Sequence, residues 1–199
     1  MTPEYTDRFD AALAYAAEAH RSQRRKGSDL PYVGHLLSVA GIAIESGASE
    51  DEAIAALLHD VVEDQGGPER LADVRARFGE EVAGIVAECS DTDEVPKPPW
   101  RPRKEAYVAH LAAASPGAVR VSLADKLHNA RAILYDHRLV GRRVWERFSA
   151  SAEDTLWYYR ALVSAFAARV ADDPRVAGLA PLVAELDRVV SELEALDGA

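Results

Sequence analysis

Ala56-Leu57-Leu58-His59-Asp60-Val61-Val62-Glu63-Asp64 sets four ionisable side chains into an apolar, helix-forming run. On a helix His59 lies one turn below Glu63 and Asp60 one turn below Asp64, so the four share neighbouring faces while Leu57, Leu58, Val61 and Val62 supply buried neighbours. Three carboxylates packed this closely with an imidazole repel one another unless a cation sits among them. A divalent metal is the simplest neutraliser, because neutral imidazole and carboxylate oxygen are both natural ligands. The alternative is a solvated acidic helix end that a histidine happens to adjoin.

Two further segments offer donors of the same type. Pro31-Tyr32-Val33-Gly34-His35 is a turn leading into the apolar run Leu36-Leu37-Ser38-Val39-Ala40, so a helix there would project His35 from its first turn. Val119-Arg120-Val121-Ser122-Leu123-Ala124-Asp125-Lys126-Leu127-His128-Asn129 places Asp125 inside a second apolar helical run. Taken singly, His35 reads as a satisfied histidine at a helix start, and Asp125 as an ion-pair partner of Lys126 or Arg131. Taken together, His35, His59, Asp60 and Asp125 make a two-histidine, two-carboxylate set.

Working outward, the pattern is one of helices with short connections. The expected helices run over residues 4–21, 35–45, 49–63, 68–77, 80–87, 103–114, a long segment around Asp125, 142–170 and 181–196, with Gly47, Gly66-Gly67 and Gly79 as punctuation. Ser49 with Glu52 has the spacing of a capping box. Residues 91–102 contain four prolines and read as an extended loop. At 199 residues and 48 % hydrophobic content, rich in alanine and short of β-branched runs, the chain fits one all-α domain, a compact single-domain helical bundle over 1–199. No apolar stretch is long enough for a bilayer, and Met1-Thr2-Pro3-Glu4 does not begin a signal peptide, so the expected compartment is the cytoplasm, with no membrane partner. One cysteine, Cys89, excludes an intrachain disulfide and a cysteine-based metal cluster. A formal net charge of −10 argues against general nucleic-acid binding, which needs Lys and Arg against phosphates. Arg21, Arg24, Arg25 and Lys26 nevertheless form a local basic segment, either a solvated loop or a holder of phosphates on a small substrate. An apolar helix face would serve the bundle or a second copy equally, which leaves a homodimer open.

Ala19-His20 with Gln23-Arg24-Arg25-Lys26, Pro31-Tyr32 with His35, the segment from Ala56 to Asp64, and Leu123 to Asn129 together resemble the HD superfamily of metal-dependent phosphohydrolases. Within it, they are most similar to the hydrolase domains of the RelA/SpoT family and its stand-alone small alarmone hydrolases. The resemblance implies an HD-type domain with its metal-site core at about residues 20–140, the C-terminal helices completing the bundle. It implies Mn²⁺ held by His35, His59, Asp60 and Asp125, and a guanine nucleotide substrate, ppGpp or pppGpp, cleaved at its 3′-pyrophosphate. Glu63 and Asp64 would carry protons, Arg25 and Lys26 would engage phosphates, and Asn129 would help position the nucleotide sugar or the metal-site neighbours. Lys126 reads as pointing to another face in a structural role, and His20, His110, His128 and His137 as core or surface histidines.

Two departures from the family pattern matter. Leu36 stands where a proline usually follows the first histidine. The loop holding Pro98-Pro99-Trp100-Arg101-Pro102 is longer than its counterpart. Either Trp100 stacks on a base, with Arg101 or Arg103 at a phosphate, or the loop lies on the surface with Trp100 folded onto the protein. Two other functions stay open: an HD phosphohydrolase for another phosphorylated purine nucleotide, and a nucleotide sensor without turnover.

Overall fold

Ser49 and Glu52 form the capping box that their spacing predicts. Glu52 N–H donates to Ser49 Oγ at 3.2 Å and Ser49 N–H donates to Glu52 Oε2 at 2.8 Å, so two donors that a helix start leaves unpaired are satisfied. The computed structural model describes residues 5–91 and 98–198. Among them are ten α-helices: α1 Asp7–Ala19, α2 Val33–Glu45, α3 Glu50–Leu58, α4 Val61–Gln65, α5 Gly67–Phe78, α6 Glu80–Cys89, α7 Trp100–His110, α8 Pro116–Val140, α9 Ala152–Asp172 and α10 Ala180–Asp197. Two short 3₁₀ segments, Gly141–Arg147 and Ala177–Leu179, join them, and the described residues contain no strand beyond one isolated bridge between Arg24 and Pro31.

The bundle is organised around α8, whose 25 residues begin with Ser115 capping Ala118 N–H and Pro116 in the first turn, where its missing N–H costs nothing. It packs against α2, α3, α6, α9 and α10. Val119, Val121, Leu123, Leu127 and Ile133 are buried in those contacts, as their apolar pattern predicts. Gly117 lets α8 approach α6 closely, since a Cβ there would stand 2.6 Å from Ile85 Cδ1. α3 buries six consecutive residues, Ala53 to Leu58, because α1, α2, α6 and α8 surround it. Its alanines let those neighbours come near, and each fully buried leucine contributes about 1.5–3 kcal/mol. The buried side chains of all these elements form one core. No helix among the described residues is long and apolar enough to cross a membrane.

Expected boundaries differ in several places; α1 covers Asp7–Ala19 within the expected 4–21, and α7 ends at His110 where the expected helix runs to 114. The helix expected over 49–63 breaks at His59 and Asp60, where α3 ends and α4 begins. His59 Nδ1 donates at 2.8 Å to Ala56 O, the carbonyl that an unbroken helix would offer to the Asp60 N–H. Asp64 N–H still donates to Asp60 O at 3.0 Å, so the one-turn relation survives across the break. The helix expected over 142–170 is a 3₁₀ segment to Arg147, followed by α9 with Ser151 as its cap. The loop expected over 91–102 ends early: α7 starts at Trp100 and holds Pro102 in its first turn, where proline is tolerated. The rest of that loop, 92–97, lies outside the described residues.

Candidate functional site

The break between α3 and α4 turns His59 and Asp60 toward α2 and α8. His59 Nε2 lies 3.0 Å from Asp60 Oδ2 and 3.7 Å from Asp125 Oδ1, and His35 Nε2 lies 3.4 Å and 3.3 Å from the same two oxygens. One donor atom each from His35, His59 and Asp125 falls within a 4.8 Å span, and all three residues are buried. His59 Nδ1–H is committed to Ala56 O, so in the neutral ring Nε2 is the lone-pair nitrogen, buried and facing the Asp60 and Asp125 carboxylates. A buried acceptor without a donor, facing two carboxylates, fits a cation. Burial opposes charge at His59, yet the Asp60 and Asp125 carboxylates hold its imidazole well above the usual histidine value. Burial likewise opposes charge at both carboxyls. The His59 charge and imidazole hydrogen bonds hold Asp60 well below the carboxylate range, and the Lys126 ammonium, with the same imidazoles, does so at Asp125. The cluster therefore favours positive charge at its centre.

A surrounding set of side chains fixes these donors. Tyr32 Oη donates to Asp60 Oδ2 at 2.5 Å, and burial pushes its phenol above the tyrosine range, so it stays a donor. Lys126 Nζ donates to Asp125 Oδ2 at 2.7 Å, while Asn129 Nδ2 donates to Asp125 Oδ1 at 2.5 Å. Arg25 Nη2 in turn donates to Asn129 Oδ1 at 2.8 Å, linking the basic loop to the Asp125 carboxylate. His35 Nδ1 sits 2.8 Å from His128 Nδ1. Burial, then the neighbouring His35 and Arg25, lowers His128 to about 4, so this ring is neutral at pH 7 and can accept the His35 proton. Such partners orient the ring and set its tautomer. Lys126 and His128, read from the sequence as structural and unsupported respectively, thus belong to the site's surroundings. A helical step of about 100° puts Lys126 on another face, but its four-carbon stem curls back to the adjacent carboxylate.

Above the cluster opens a cleft of about 440 Å³ whose wall includes Arg25, Lys26, Asp60, Glu63, Asp125 and Asn129, so six sequence-predicted residues share one concavity. The loop carrying Arg25 and Lys26 is pinned by Arg25 N–H to Leu30 O at 2.9 Å and Tyr32 N–H to Gln23 O at 3.0 Å. Gly27, at φ +73°, lies where a Cβ would meet Arg147 Cδ at 2.6 Å. Asp64 is not in the cleft wall. Its Oδ2 accepts from Gln23 Nε2 at 2.7 Å, and Gln23 Oε1 is held by Gln65 Nε2 and His20 Nδ1, both at 2.6 Å. Burial, with the nearby Asp60 and Glu63 charges, raises the Asp64 carboxyl above its ordinary value while the Gln23 bond lowers it. Trp100 folds onto the protein, edge-on to Tyr158 at 5.9 Å, in the wall of an adjoining lobe of about 150 Å³. Arg101 stacks on Trp157 at 3.2 Å and pairs with Glu105 and Asp154, away from the cleft, and Arg103 pairs with Asp91.

Comparison with known proteins gives a consistent picture. The family model described as HD domain matches residues 12–151. The guanosine-3′,5′-bis(diphosphate) 3′-pyrophosphohydrolase MESH1 of Drosophila melanogaster is 40% identical over 127 residues, 62% of this chain and 68% of that protein. The protein of the same name from Homo sapiens is 41% identical over 123 residues, covering 60% and 66%. A solved structure of a metazoan ortholog of SpoT that hydrolyses ppGpp matches with a TM-score of 0.74 at 29% identity, over 95% of this chain and 97% of the other.

Proposed function

The chain belongs to the HD domain family, and from that premise we propose that it hydrolyses the 3′-pyrophosphate of ppGpp or pppGpp, giving GDP or GTP and pyrophosphate. The observation that carries the reading is the buried histidine and aspartate cluster at the floor of a cleft whose rim bears Arg25 and Lys26. His35, His59, Asp60 and Asp125 would hold one divalent cation. Their mixed nitrogen and oxygen set, with space left toward the cleft, suits Mn²⁺ better than a closed structural Zn²⁺. When bound, the cation supplies charge stabilisation at the phosphoryl oxygens and acidifies a water molecule.

The remaining work falls to the chain's own groups. Arg25 and Lys26 engage the phosphates through charge-assisted hydrogen bonds, and Asn129, shared between Arg25 and Asp125, keeps that guanidinium in register with the cluster. Glu63, in the cleft wall, takes the proton from the attacking water. Asp64, kept in place by Gln23, is the second carboxylate of the proton path, with a raised pKa suited to holding and returning a proton. We place the reaction in the cytoplasm, on a free nucleotide.

The test is release of pyrophosphate and GDP from ppGpp by the metal-stripped protein with and without Mn²⁺. Equal amounts of both products, formed with metal alone, are expected. Cleavage of nucleoside monophosphates with none of ppGpp would overturn the substrate, and tight ppGpp binding with no product would make the protein a sensor.

A further inference from the structure

Two cations share one carboxylate beside the cleft. Lys104 Nζ donates to Asp91 Oδ2 at 2.7 Å, and the Arg103 guanidinium pairs with the same oxygen. The side chains are 17%, 14% and 7% exposed for Lys104, Arg103 and Asp91, so among the described residues this trio keeps one positive charge largely out of water. An uncompensated charge in such a place is costly unless an anion joins it. Burial, with the neighbouring Lys126 and Arg103 charges, pushes the Lys104 ammonium below the usual lysine range against the pull of Asp91.

Lys104 also faces usable space. It lines both the main cleft and the adjoining lobe, with its Nζ 5.1 Å from the Tyr158 ring. Lys26, from the loop before α2, lines both as well, with its Nζ 6.0 Å from the Phe148 ring. Two ammonium groups from separate elements therefore flank the junction of the lobes, over a wall of Phe148, Tyr158 and Tyr159. Lys26 is one of the two cations already assigned to the phosphates, and nothing in the cleavage step requires Lys104.

We propose that Lys104 and Lys26 form a second anion subsite, one that takes the 5′-phosphate chain of the nucleotide while its 3′-pyrophosphate lies at the histidine and aspartate cluster. This rests on the alarmone reading. The substrate class is then a nucleotide phosphorylated at both ends of its ribose, and Lys104 is the residue that makes the distal phosphates count. A trio that merely ties α7 to the end of α6 would treat all substrates alike.

The experiment compares ppGpp with guanosine 3′-diphosphate, which lacks the 5′ phosphates, in the wild type, Lys104→Gln and Lys104→Arg. KM is measured on the Mn²⁺-loaded protein and Kd on the metal-stripped protein. The preference for ppGpp should fall about tenfold in Lys104→Gln, in KM and in Kd, the size of one charge-assisted hydrogen bond, and be largely kept in Lys104→Arg. Because the readout is a ratio within one variant, a general loss of fold cancels. An unchanged preference, with ppGpp still cleaved, overturns the subsite and leaves the alarmone reading intact. A Lys104-dependent preference in Kd with no cleavage of ppGpp supports the subsite and overturns the hydrolase.

Discussion

Single residues at this site do separable work, and substitution should separate it. Asp60 Oδ2 stands beside both imidazole nitrogens, so Asp60→Ala should remove metal binding and turnover together. Glu63 lies in the cleft wall outside the cluster, so Glu63→Gln should keep the metal and lower kcat by about 10²–10⁴. Metal content by elemental analysis beside kcat decides this; a metal-replete, active Asp60→Ala would refute the assigned centre. Lys126→Met makes a subtler case. It removes the ammonium that holds Asp125 Oδ2 and should weaken Mn²⁺ binding about 10–100-fold by calorimetry, whereas a lysine that only fills space would leave affinity unchanged. That His35, His59, Asp60 and Asp125 lie close together could be anticipated because three short apolar segments each carry a histidine or an aspartate, a coincidence that none of them shows singly. Lys126 and His128 were not, because helical spacing gives the direction of Cβ and not where a long or rotatable side chain ends.

Elements show where sequence pattern ends and tertiary structure decides. The capping box and the starts of α2, α5 and α6 follow from local chemistry, so they could be read in advance. The break at His59 could not, since apolar periodicity runs through it unaltered while the imidazole donates to the Ala56 carbonyl that a continuous helix would offer to the Asp60 N–H. The same limit hid Gln23, whose partners lie 41 and 42 residues away on α4. Its amide is oriented by Gln65 and His20, so the nitrogen is committed to donating to Asp64. That donor stabilises the ionised carboxylate. Without it the Asp64 pKa must rise further, because the burial and the Asp60 and Glu63 charges that already raise it remain. If Asp64 acts ionised, Gln23→Ala should therefore move the acidic limb of the kcat profile to higher pH, and Gln23→Glu should move it further. An acidic limb that stays in place while kcat falls would reduce Gln23 to a packing role.

Across the whole molecule, the candidate site joins parts of the chain that are far apart in sequence: α2 brings His35, the α3–α4 break brings His59 with Asp60 beside it, and α8 brings Asp125. Each is inserted into one shared core, so a cation bound there would tie these segments together in place of the proton that the two carboxylates hold on His59. Stripping the metal should therefore destabilise the fold as well as stop turnover. At a free Mn²⁺ concentration of about 100 times Kd the linked stabilisation is about 2.7 kcal/mol, which for a domain of this size is a rise in Tm of roughly 5–10 °C. The gain should fall unevenly. Amide exchange should slow at the His35, His59 and Asp125 segments, while α9 and α10, which pack on each other and bring none of the four proposed donors, should change little. Asp60→Ala should abolish the Tm gain, and Glu63→Gln should keep it, which ties the effect to the donor set and excludes a general effect of divalent cations on an acidic chain. An equal gain in all three proteins would mean that Mn²⁺ acts at the surface and that the buried cluster is held by protons alone.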